Sequence, residues 1–160
     1  VAGGLLAVIL AVARIVTPFA PADSPVAPGA ALAHVPRPLR DHPVFNAYAF
    51  GGYLLFNGVR PYIDSRAELY GDAFRAGYLR LQDDPCAFVR ELAARHVAWT
   101  ILEPGSRLET FLGESPNWPH LYADPYAVVR VHQASPDGGP DQACRAESTI
   151  GSPPAPERRG

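Results

Sequence analysis

The side chains best suited to chemistry stand in one short run, I-D-S-R-A-E-L-Y-G, where Asp64, Arg66, Glu68 and Tyr70 place two carboxylates, a guanidinium and a phenol close together. They follow Pro61-Tyr62-Ile63, which reads as a strand ending at Asp64, and open α/β sheets hold ligands just beyond the carboxyl ends of their strands. A guanidinium two residues from a carboxylate has two uses there: both contact a sugar-phosphate headgroup, or they hold each other and brace the loop. The brace is the simpler reading, and the ligand loop is its rival.

Other chemistries lack their residues. The chain has no GxSxG elbow, no GxxxxGK[ST] loop and no GxGxxG turn, so no catalytic residue is assigned and no cofactor is implied. The five histidines (His34, His42, His96, His120 and His132) show neither HxH nor HxxxH spacing, and the two cysteines form no CxxC pair, so no metal site is expected. His96 reads as a group facing a helix dipole, and Asp83-Asp84 as a helix cap before Pro85. All 14 basic residues are Arg, set against 16 acidic ones in 160 residues with a net charge of −2, which leaves no cationic surface for nucleic acid. An apolar fraction of 48% suffices for a core and excludes wholesale disorder.

These residues must be positioned by short elements. Val44-Phe45 starts an apolar run, and Asn46 is placed to cap a helix through A-Y-A-F-G-G-Y-L-L-F. Gly51-Gly52 inside that helix costs about 1 kcal/mol per Gly against Ala, which close approach of another backbone would offset; a tight turn between strands is the other reading. Asp72 caps a helix that aligns Phe74, Tyr78, Leu79 and Leu81, and Asp84-Pro85 opens another with Phe88, Val89 and Leu92 inward. V-A-W-T-I-L, residues 97–102, is a buried strand. Ser106 and Glu109 suit a capping box for a helix burying Leu108, Phe111 and Leu112. Trp118 to Tyr122 and Tyr126 to His132 bracket Ala-Asp-Pro as a hairpin. Strands alternating with helices predict an α/β domain, a small mixed sheet with flanking helices and an antiparallel edge.

Proline marks the boundaries. Seven of the 18 prolines lie between Pro18 and Pro43 and five between Pro136 and Pro156. Because Pro lacks an N–H and restricts its predecessor, residues 18–42 read as a linker and 133–160 as a disordered tail, with residues 43–132 as the folding unit between them. Cys144 falls in that tail, so a bridge to Cys86 is not expected. Val1 to Val16 is apolar except for Arg14. At 1.5 Å per residue it covers ~24 Å, short of the ~30 Å hydrocarbon core. It reads as the end of a transmembrane helix over residues 1–17, with a clipped signal peptide and a buried soluble helix as alternatives.

P-V-F-N-A-Y-A-F-G-G-Y-L-L-F, R-P-Y-I-D-S-R-A-E-L-Y-G-D, V-A-W-T-I-L and W-P-H-L-Y-A-D-P-Y-A-V-V together resemble the C-terminal extramembrane domain of bacterial polytopic membrane proteins of the dolichyl-phosphate-mannose mannosyltransferase type. The resemblance runs from about Pro43 to Val131. Asn46, Tyr48, Gly51, Gly52 and Tyr53 carry its first block as a structural motif. Phe50 stands where the family tends to have Trp, Ser65 where it has Gly, and Glu68 where Asp is common. The resemblance implies a many-helix membrane glycosyltransferase that draws on a lipid-linked sugar donor, with its catalytic carboxylate in an early extracytoplasmic loop outside this chain. This chain would then be its accessory extracytoplasmic domain at the cell envelope, with membrane lipid and a lipid-linked sugar or glycan acceptor as partners. A membrane-tethered binding or scaffolding domain without enzymatic activity is the alternative.

Overall fold

The computed structural model describes residues 23–133 and Cys144. Two short helices, α1 (Gly29–His34) and α2 (Arg37–Arg40), precede strand β1 (Val44–Asn46). A 3-10 turn (Tyr48–Phe50) runs into α3 (Gly51–Phe56), and a second 3-10 turn (Ala67–Leu69) precedes α4 (Asp72–Asp83) and α5 (Pro85–Ala94). Strand β2 (Trp99–Leu102), α6 (Arg107–Gly113) and the hairpin β3 (His120–Ala123) and β4 (Val128–Val131) complete the described chain. The sheet has the order β1-β2-β4-β3, with β1 parallel to β2 and the other neighbours antiparallel. This is the mixed α/β sheet with flanking helices and an antiparallel edge that the sequence predicts.

Side-chain alternation divides the core into two layers. Val44, Trp99, Ile101 and Val129 pack with Phe50 and Leu54 from the helical run after β1, and with Ala31, Leu32 and Val35 from the α1 segment. Phe45 and Leu102 point to the other face and meet Tyr78, Leu81, Phe88, Leu92, Leu108 and Leu112 from α4, α5 and α6. Coverage of β1 and β2 on both faces accounts for their nearly continuous apolar runs, while β3 is the exposed edge.

Several expectations are corrected. Part of the segment read as a linker folds: α1 and α2 belong to the domain, and Ala31, Leu32 and Val35 are core residues. The prolines start these helices instead of breaking them, with Pro28 and Pro36 at the N-caps and Pro38 in the first turn, where no N–H is missed. Residues 61–63 are not a strand. Asn46 does not cap the helix after it but ends β1 with its side chain buried. Asp72 is the first residue of α4, and Gly71 holds the cap position without a side-chain bond. Leu79 is 61% exposed, off the buried face of α4 that Tyr78 and Leu81 share. Asp84 does cap α5, accepting from the Ala87 N–H at 2.8 Å.

Cys86 and Cys144 form a disulfide, contrary to expectation, with Cα atoms 5.3 Å apart across 58 positions. Cys144 is 7% exposed, so this point of the supposed tail packs against the domain. Composition concealed this, because proline content around a cysteine says nothing about where its thiol is tied. Val1 to Val16 lies outside the described residues, and among the described residues no helix is long and apolar enough to cross a membrane.

Candidate functional site

The predicted loop is held by the end of β1. Asn46 is fully buried, and its side-chain amide does what a neighbouring strand would do. Its Nδ2 donates to the carbonyls of Ile63 at 2.9 Å and Ala47 at 2.8 Å, while its Oδ1 accepts from the Tyr62 N–H at 2.8 Å. One carboxamide thus takes the place of a ladder, which explains why residues 61–63 carry a strand-like pattern without forming a strand. Gly51 sets the depth of the approach: a Cβ there would overlap the Ile63 carbonyl oxygen and sit 2.5 Å from the Asp64 Cα. Gly52 plays no such part. It is exposed, and a Cβ on it would lie 3.8 Å from Ser65 Oγ, an ordinary contact.

The clamp delivers Asp64 to a buried position at 1% exposure. Its carboxylate accepts from the Arg66 backbone N–H at 2.8 Å, from Arg66 Nε at 3.1 Å and Nη2 at 2.7 Å, and from the Tyr70 hydroxyl at 3.0 Å. The Arg66 guanidinium, followed by the backbone and phenol donors, outweighs burial and holds the Asp64 carboxyl down at about 2. Hydrogen bonding to Asp64 in turn raises Arg66, and burial followed by Asp64 raises Tyr70. Tyr70 is steadied by stacking on Phe74 at 5.2 Å. Asp64, Arg66 and Tyr70 are therefore brought together; Glu68 is exposed and joins none of these bonds. A carboxylate with this many donors is a poor base. Arg66, 51% exposed, presents the outer surface of the cluster.

The other motif residues serve packing. The Tyr48 N–H donates to the Tyr78 hydroxyl at 3.0 Å, and burial pushes the Tyr78 phenol up to about 12. Tyr53 packs beside the first core layer, where Gly29 leaves room for its hydroxyl.

A second ionic cluster escaped sequence reasoning. Arg130 on β4 is 7% exposed and donates through Nη2 to Glu109 Oε1 at 2.8 Å and through Nη1 to the Trp118 carbonyl at 2.9 Å. His120 Nε2 stands 3.7 Å from the same Glu109 oxygen. Gly113 leaves the space, since a Cβ there would meet Arg130 Nη2 at 2.8 Å. The signal was an Arg in V-V-R-V, in phase with Val128 and so directed at the helices. Buried on the helical face, the pair ties α6 to the hairpin.

Two clefts open where the parallel strands begin. One, of about 420 Å³, is lined by Leu92, His96, Asn117, Trp118 and His132 among others. The other, of about 310 Å³, lies between residues 41–44, residues 60–62, and Arg95 with Val97. Among the described residues, no group of three or more His, Cys, Asp or Glu is placed to hold a metal ion. No protein-family model, no curated protein and no solved structure matches the chain.

Proposed function

We propose that this chain supplies an accessory domain on the extracytoplasmic side of a membrane glycosyltransferase-like protein, supporting the binding of a lipid-linked sugar or glycan while catalysis lies elsewhere in the protein. The observation that carries the reading is the Cys86–Cys144 disulfide, because such bonds persist in oxidising compartments and are rare in the cytosol. Two features agree with it. The apolar run of Val1 to Val16 precedes the domain, and the resemblance from Pro43 to Val131 is to domains of that placement. The Asp64 cluster fits an accessory role as well, since its carboxylate is already committed to Arg66 and Tyr70.

The test traps thiols in intact cells that express the full-length protein. Cells are quenched in acid, and denatured protein is reacted with a maleimide of high mass before and after reduction. Both cysteines should shift the protein only after reduction, and carbonate should leave the protein in the membrane fraction. Free thiols before reduction, or release by carbonate, would sink the reading.

A further inference from the structure

The smaller of the two clefts gathers cations around an aromatic wall. Arg95, following α5, donates through Nε to Glu91 Oε1 at 2.8 Å, and its guanidinium carbon lies 5.5 Å from the centre of the Tyr62 ring and 6.0 Å from that of Phe74. Tyr62 donates its hydroxyl to the same Glu91 oxygen at 2.7 Å. Glu91 is thereby spent on orienting the Arg95 group and the aromatic wall, and the two terminal nitrogens of Arg95 make no hydrogen bond among the described residues. Arg60 lines the same cleft and makes neither an ion pair nor a side-chain hydrogen bond among the described residues, and Pro61 restricts its backbone. The His42 imidazole joins the lining, and Asp41 is the carboxylate that belongs to it.

We propose that this cleft binds a phosphate group, carried by a sugar phosphate or by a lipid headgroup. A guanidinium whose terminal nitrogens make no hydrogen bond among the described residues is the fork that phosphate oxygens accept from, and a second guanidinium lines the same cleft. The Tyr62 ring, packed against Phe45 and Phe74, supports the Arg95 guanidinium from below and holds it at the cleft. A cleft of about 310 Å³ suits a small ester better than a large ligand. The choice of sugar phosphate rests on the function proposed above; binding of the phosphate group does not. Loss of phosphate binding would leave the disulfide and membrane results standing, and the reverse also holds.

The test titrates the 160-residue chain, kept in neutral detergent, with inorganic phosphate and with mannose 1-phosphate, following amide shifts of Tyr62, His96 and Val97. Inorganic phosphate should bind with a Kd on the order of 1 mM. Arg60→Gln and Arg95→Gln should each weaken it about tenfold, and Arg107→Gln, on another helix, should leave it unchanged. Arg60 has no partner to lose among the described residues, so Arg60→Gln keeps the test decisive even where Arg95→Gln disturbs the fold by releasing Glu91. Tighter binding of mannose 1-phosphate assigns the site to a sugar phosphate. Stronger capture by phosphatidylglycerol vesicles than by phosphatidylcholine vesicles, lost in the same two variants, assigns it to a lipid headgroup. No shift at about 20 mM phosphate, or equal weakening by all three substitutions, overturns the proposal.

Discussion

At the scale of single residues, Asp64 and Gly51 hold the candidate loop by different physics. Asp64 titrates well below the ordinary carboxylate value of 3.8, at about 2, so the folded state favours its ionised form. The stability this contributes is complete above the unfolded value and is lost as pH falls from about 4 toward 2, where folded and unfolded chains are both protonated. Asp64→Asn should therefore flatten the acid limb of a stability profile in that window, as read by urea midpoints from pH 2 to pH 6; an unchanged limb would contradict the brace. Arg66→Ala should lower the midpoint at neutral pH, because it leaves a buried carboxylate with fewer donors. An unchanged midpoint would return the pair to the ligand reading. Gly51 and its neighbour divide what the sequence treats as one feature. Gly51→Ala forces a methyl into the Ile63-Asp64 backbone and should cost about 1–3 kcal/mol. Gly52→Ala meets only an ordinary contact inside a helix and should gain about 0.5–1 kcal/mol. Denaturant melts of the two variants should move in opposite directions.

At the scale of elements, the end of α5 shows how a cap is built without its usual residue. The Val97 N–H bonds the Leu92 carbonyl at 2.9 Å and the His96 N–H bonds that of Ala93 at 3.1 Å, the two bonds of a Schellman termination. His96 then takes φ of 51°, a left-handed conformation that glycine adopts without penalty. His96→Gly should raise stability by about 1 kcal/mol in a urea melt, and a loss would show that the imidazole makes a compensating contact. Sequence reading had His96 at a helix end, but φ depends on where Val97 must go, and that is fixed by its burial at the start of the β2 segment. The same reason separates what was legible from what was not. Helices α5 and α6, strand β2 and the hairpin announce themselves through local caps and periodicity. The Asn46 clamp and the Glu109–Arg130 pair join residues 17 and 21 positions apart, and no local pattern encodes such partners. Residues 61–63 have a strand's residue types, whereas strand identity also requires a ladder, and a side chain supplies their hydrogen bonds here.

At the scale of the whole molecule, the domain is small and its cross-link spans most of the second half of the described chain. Cys86 sits at the start of α5, and Cys144 is brought back to it after the sheet is complete. The bond therefore encloses α5, β2, α6 and the hairpin in one loop, all of whose elements pack into the two core layers. Closing a loop of 58 residues in the unfolded chain removes entropy worth about 4 kcal/mol in the chain-entropy treatment, an upper value because denatured chains keep some structure. Marginal stabilities of about 5–15 kcal/mol make this a large share for a domain of this size. Reduction, or the double replacement Cys86→Ser with Cys144→Ser, should thus lower stability by about 2–4 kcal/mol. The native sheet and both core layers should remain, because Cys144 contributes a tie and not a structural layer. Denaturant melts of oxidised, reduced and doubly substituted chains decide the matter. Equal midpoints for all three would mean that the loop is already closed by packing in the unfolded ensemble, and the domain would then have no stability reason to depend on an oxidising compartment.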